Sequence, residues 1–320
     1  MAKLTYRPFF PLPDTYGVAL GVVAGAVAGF SDINALWQDN GQSGIQPAVD
    51  WLIVALNAAA AVLIHSGGVA LDHIVHLNND KLLRPERPIP SGRMTVPSAR
   101  LFYAIVTGVG LMLASVNLLR PETGGLPSGL WAAGAGFLFA LLTAAYRLRF
   151  HDAPFFAPLL TGLRQWLVVG LGLLSLPMAL SWPLIVDLRL WAPAVVVGFY
   201  AHALSWLSLQ DQTGQKSAFG EAIELILILG MMVLASAHWV WGAVPIIGIA
   251  VAIFVAGLLS IRKPGETTAH RLYKIGVGTL PVALSGMMLL SGGLDFWQPG
   301  VVGLIGCGAV ALFFRSEGKS

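Results

Sequence analysis

Charge is what this chain has least of: Asp, Glu, Lys and Arg make up 11% of its 320 residues, against roughly 25% in an ordinary soluble domain. So small a share cannot coat a water-exposed globule. Cysteine is nearly absent as well. Cys307 stands alone in the last apolar stretch, which excludes an internal disulfide and leaves the redox compartment unmarked. The segment 1–14 is polar and proline-bearing and lacks the apolar core and small-residue cleavage site of a secretory leader. Insertion by the first apolar run is therefore expected.

What is present is apolar sequence, 56% of the chain. A membrane-crossing helix needs about 20 such residues in a row, and the chain offers candidate windows at 13–32, 50–72, 98–118, 128–146, 157–181, 190–210, 221–238, 243–261, 272–291 and 297–314. The seventh and eighth are short, and the last two are divided only by Ser291-Gly292-Gly293-Leu294-Asp295. The expected fold is an all-α, polytopic membrane bundle of nine to ten helices forming one domain over 1–320. Strand barrels are disfavoured, because the runs are continuous and lack the alternation of a lumen-lining strand.

Basic residues set the expected orientation. With ten spans and a cytoplasmic amino terminus, the inner segments collect most of them, including Lys81, Arg84, Arg87, Arg93, Arg147, Arg149 and Lys216. The outer segments keep Arg120 and Arg189, and Arg164 falls within a window. This asymmetry predicts both termini on the cytoplasmic side of an inner or plasma membrane. The +3 net charge then reflects topology and does not indicate nucleic-acid binding. Most of the 37 glycines are expected to serve close helix contact.

The outer connector 31–49 is Asp-, Gln- and Gly-rich and is expected to be solvated. The inner one differs in kind. At the end of the second window Asp72, His76 and Asp80 recur every four residues, a spacing that puts them on one helix face. Ionisable groups at membrane depth are costly and usually face a polar cavity or a partner. With His65 and His73 nearby, the stripe offers oxygen and nitrogen ligands to a metal or an anion site. There follows Arg84-Pro85-Glu86-Arg87-Pro88-Ile89-Pro90-Ser91-Gly92-Arg93, whose prolines resist helix and whose arginine forks suit phosphate oxygens.

This loop, preceded by an acidic stripe, resembles the UbiA superfamily of intramembrane prenyltransferases, and among them the EboC-like branch. The resemblance implies a helical bundle with a lipid-accessible lateral cavity, in which aspartates hold Mg2+ on an isoprenoid diphosphate while a lipophilic acceptor takes the prenyl group. The family pattern Asn-Asp-x-x-Asp-x-x-x-Asp falls on Asp72, His73, His76 and Asp80, so only Asp80 is unchanged. Imidazole is a poor magnesium ligand and a good one for transition metals, which leaves a transition metal open given His73 and His76. A second aspartate motif is implied at the end of the sixth window, where Asp211, Gly214 and Lys216 stand.

On that reading Asp72, His76, Asp80 and Asp211 are the catalytic, metal-holding candidates, and Arg84, Arg87, Arg93, Arg164 and Lys216 are the substrate-binding ones. Arg164 is expected to reach into the cavity. Arg147 and Arg149, after Tyr146, fit a family basic pair or simple interfacial anchoring equally well. Tyr200 and His202 are expected to pack between helices, and most tryptophans to sit at the membrane interfaces. The alternative is a degenerate UbiA-like subunit or assembly factor of a larger, possibly pigment-bearing membrane complex.

Overall fold

The computed structural model describes residues 12–39, 49–119, 128–150, 153 and 155–176, together with 191, 194–195, 197–202 and 205–206. Among these residues there are helices and turns and no strand. The elements are α1 (Leu12–Asp39), α2 (Trp51–Val75), the short α3 (Leu77–Leu83), α4 (Val96–Ser115) with a 3-10 turn (Val116–Leu119), α5 (Ser128–Ala145) with a π-turn (Tyr146–Phe150), and α6 (Phe156–Leu173). The seventh to tenth windows, with Asp211 and Lys216, lie outside the described residues.

Local chemistry fixes where α2 and α4 begin. The Asp50 carboxylate accepts the backbone N–H groups of Leu52 and Ile53 at 3.1 and 3.3 Å, and Thr95 Oγ1 accepts that of Ser98 at 3.3 Å, so both helices start on a side-chain cap. Pro97 follows in the first turn of α4, where its missing N–H costs nothing. Four helical segments are long and apolar enough to cross a membrane: Trp51–Val75, Val96–Leu119, Gly129–Phe150 and Phe156–Leu173. On α4, Leu101, Ile105, Val109 and Met112 are exposed at helical spacing, the stripe that lipid would cover.

α2 runs along α4, and α1 along α6. Their shared core joins Val18, Val22 and Ala26 of α1 with Val54, Ala61 and Ile64 of α2, Phe139 of α5, and Leu167, Val168 and Leu171 of α6. Lipid tails are as apolar as leucine, so packing rather than water exclusion must hold these helices together. Glycine makes that packing close. At the α1–α6 crossing a Cβ on Gly25 would strike the Val169 carbonyl, and one on Gly172 the Val22 carbonyl.

Two expectations are corrected. The 31–49 connector is helical as far as Asp39; Ile33, Leu36 and Trp37 carry an i, i+3, i+4 pattern that suits an amphipathic end. The stripe 72–80 does not sit on one unbroken helix. α2 ends at Val75, His76 adopts φ −93° and ψ 18°, and α3 resumes at Leu77.

Candidate functional site

The break at His76 leaves the stripe aligned. His76 N–H donates to the Asp72 carbonyl at 3.0 Å, Asp80 N–H to the His76 carbonyl at 2.9 Å, and Arg84 N–H to the Asp80 carbonyl at 2.9 Å. Helical register thus carries through the turn, and the Asp72 and Asp80 side chains still converge. Arg87 meets both: its Nη1 lies 2.7 Å from Asp80 Oδ2 and 3.8 Å from Asp72 Oδ2. Asp80 is 4% exposed and Asp72 8%, so these pairs are poorly screened by solvent. Removing Arg87 would strand a buried carboxylate, at a cost on the order of 3–5 kcal/mol.

Arg87 is aimed inward by the fold of its loop. Arg87 N–H donates to the Arg84 carbonyl at 3.1 Å, Ser91 N–H to Arg87 at 3.0 Å, Gly92 N–H to Ile89 at 3.1 Å and Met94 N–H to Pro88 at 3.0 Å. Gly92 takes φ +75°, a left-handed turn that glycine adopts without strain. Ile89 and Met94 are buried against Ala70 of α2 and Ala99 of α4, so the loop is nailed to the bundle by its apolar residues. Arg84 and Arg93 lie on its exposed side. Arg93 donates to Ser91 Oγ at 2.9 Å and to the Glu86 carbonyl.

A second guanidinium comes from the end of α5. The π-turn widens the helix at Tyr146 and carries Arg147 toward α2, with its Nη1 3.2 Å from Asp72 Oδ1 and its guanidinium 5.0 Å from the Tyr146 ring centroid. His76 Nδ1 is also 3.2 Å from Asp72 Oδ1. Of the two readings that the sequence left level for Arg147, the structure selects the inward one. Arg149 lies on the exposed side of the turn.

Arg164 on α6 is 8% exposed and lies inside the bundle. Its Nε donates to Thr143 Oγ1 at 3.0 Å, its Nη2 lies 3.3 Å from His65 Nδ1, and its cation faces the rings of Tyr146 and Phe139. Guanidinium only donates, so His65 Nδ1 must accept, which puts the imidazole proton on Nε2. That Nε2 is buried and has no hydrogen-bond partner among the described residues.

The structure thus brings Asp72, His76, Asp80 and Arg87 together, adds Arg147, and sets Arg164 in a separate cluster with His65. Sequence reasoning passed over Thr143, and no local signal marks it. It also missed a buried amide pair: Asn117 Nδ2 donates to Asn57 Oδ1 at 2.7 Å, and Asn57 Nδ2 to Ser175 Oγ at 2.8 Å. Asparagine within an apolar window was the available clue there.

The α2 stripe does not fit a metal centre. Among the described residues no three His, Cys, Asp or Glu side chains are grouped to hold a metal ion. Magnesium needs near-octahedral oxygen ligands, and here Asp72 and Asp80 direct their oxygens at guanidinium groups.

No family model matches the chain. Its backbone does match solved structures. A digeranylgeranylglyceryl phosphate synthase in membranes superposes with a TM-score of 0.60 at 15% identity, covering 90% of this chain and 98% of that one. A UbiA homolog from Archaeoglobus fulgidus, bound to DMAPP and Mg2+, superposes with a TM-score of 0.53 at 15% identity over 90% of this chain and all of that one (100%). The chain has the UbiA fold. Similarity is found in sequence too: the digeranylgeranylglyceryl phosphate synthase of Sulfolobus acidocaldarius is 36% identical over 81 residues, 25% of this chain and 24% of that protein. The chain thus spans about a quarter of the length of the curated relatives it matches. In this UbiA fold the loop 84–93 closes over the C-terminal end of α2. These relatives are described as a synthase or as a UbiA homolog, none as a subunit of a larger complex, so that alternative gains no support from them.

Proposed function

We propose that this UbiA-fold protein transfers an isoprenoid group from a diphosphate donor to a lipophilic acceptor within the membrane. The observation that carries the reading is the ion-paired cluster of Asp72, Asp80, Arg87 and Arg147 at the inner end of α2. It sets fixed cationic donors at a buried carboxylate pair, a place where leaving-group charge can be stabilised without solvent reorganisation. The donor's C–O bond breaks, its electron pair leaves with diphosphate, and the acceptor nucleophile attacks the allylic carbon as its proton passes to the departing diphosphate.

Arg87 holds the diphosphate from within. Arg84 and Arg93, exposed on the loop, draw it toward the site. Asp211 and Lys216 add a carboxylate and an ammonium from the second motif. Arg164 and His65 line the deeper part of the bundle, where the acceptor enters. No step in this scheme passes through a metal ion at the α2 stripe. The names of the relatives support an isoprenoid donor and a lipid acceptor. The distribution of basic residues supports a cytoplasmic loop 84–93, with both termini on that side of an inner or plasma membrane.

The test is product formation by the purified full-length protein in lipid nanodiscs, given radiolabelled isoprenoid diphosphates of several chain lengths and an extract of native lipids. Release of pyrophosphate matched by labelled lipid is expected. No release at any chain length, with or without each divalent cation tried, would overturn the reading.

A further inference from the structure

We infer that the guanidinium pair Arg87 and Arg147 binds the donor's diphosphate in place of a metal ion at the α2 stripe, with Asp72 and Asp80 as the positioning residues that hold the pair. This rests on the prenyl-transfer reading above and concerns how that same site takes its anion.

The first support is geometric. The two arginines reach Asp72 from different elements, Arg147 at Oδ1 (3.2 Å) from the π-turn after α5 and Arg87 at Oδ2 (3.8 Å) from the loop before α4. Arg87 also holds Asp80 at 2.7 Å. A divalent ion between the two carboxylates would have to displace Arg87 or sit against its positive charge. Arg147 engages Asp72 through Nη1, while its buried Nε–H meets no acceptor among the described residues. A buried charged donor without an acceptor is costly. A phosphate oxygen would satisfy it.

The second support is charge. The family pattern puts three aspartates at the positions of His73, His76 and Asp80 and an uncharged Asn at that of Asp72. Three carboxylates repel a diphosphate unless metal ions stand between them. Here two carboxylates face two guanidinium groups, so the cluster is close to neutral before the anion arrives and need not recruit cations to accept it. Asp72 is the pivot. A carboxylate there anchors two guanidinium groups, whereas the amide of Asn would offer one weak acceptor.

The test uses the full-length protein in nanodiscs and inorganic pyrophosphate, followed by calorimetric titration in EDTA and in magnesium. Affinity in EDTA is expected to lie within about threefold of that in magnesium, and to fall at least about tenfold in Arg147→Gln and in Arg87→Gln. Arg147→Lys is expected to recover part of the loss, and Arg149→Gln to leave binding unchanged. Thermal unfolding of each variant identifies any that has failed to fold, and Arg147→Lys carries the test if Arg87→Gln does. Restoring the family pattern with Asp72→Asn, His73→Asp and His76→Asp together is expected to make binding magnesium-dependent by at least about tenfold. Wild-type binding that requires magnesium overturns the inference and leaves prenyl transfer standing. So does undiminished binding by folded Arg147→Gln in EDTA. Absence of pyrophosphate binding in both conditions removes the donor site itself and takes the inference with it.

Discussion

Arg164 shows how much one side chain can be asked to do at membrane depth. Its guanidinium satisfies Thr143 and orients His65 through two different nitrogens while facing two aromatic rings, a combination open to a planar fork and closed to an ammonium. Arg164→Lys is therefore expected to behave much like Arg164→Met. Each should lower stability by about 1–3 kcal/mol, because Thr143 and His65 lose their partner in a dry interior. Thermal unfolding in detergent measures this, and near-complete rescue by lysine would show that only the charge matters. The amide pair invites a smaller number. Asn117→Leu takes the donor from buried Asn57 Oδ1, and a loss of about 1–2 kcal/mol is expected on the scale of interhelical hydrogen bonds in membranes, read in the same assay.

At the scale of elements, α1 and α6 meet through reciprocal glycines, each backed by the other helix's carbonyl. Gly172→Leu is expected to push α1 away from α6 and lower the unfolding temperature by several degrees or more, because the obstacle is backbone and cannot rotate aside. Gly134→Ala, which meets nothing within 4 Å, is the matched control and should be neutral or slightly stabilising. An equal effect from both would remove the close-approach explanation.

The elements also separate what the sequence disclosed from what it withheld. Apolar runs marked α2, α4, α5 and the start of α6 to within a few residues, because lipid demands continuous helices, whereas α6 stops at Leu173, short of the end of its 157–181 window. The proline-bearing loop was legible since its backbone has few options. The end of α1 was not, since a polar helix end reads like a connector. Nor was the pairing of Arg147 with Asp72. That contact joins the ends of helices 75 positions apart in sequence, and a basic residue after an apolar helix looks like an ordinary interfacial anchor. The break at His76 escaped notice for a similar reason: spacing by four describes a helix equally well whether or not one residue in it turns aside.

For the molecule as a whole, orientation is the property that most affects function, since it decides which compartment supplies the diphosphate. Ser91 is exposed on the loop. In a Cys307→Ser background, Ser91→Cys is expected to react with a membrane-impermeant maleimide in inverted vesicles and to be protected in intact cells. The reverse pattern would put the loop outside and refute the proposed topology.

The fold of that loop also governs how the intact protein meets a protease. It carries three arginines, yet Arg84 and Arg87 each precede proline, and trypsin does not hydrolyse arginine–proline bonds. The third precedes Met94, which is 3% exposed and bonded through its N–H to the Pro88 carbonyl. A peptide bond must be pulled out straight to enter a protease cleft, and this one is held on its far side. A segment that looks, on paper, like the most vulnerable stretch of the chain should outlast its surroundings under trypsin, so that digestion of native membranes leaves 84–93 uncut while the exposed bond after Lys81 on α3 is the one that yields.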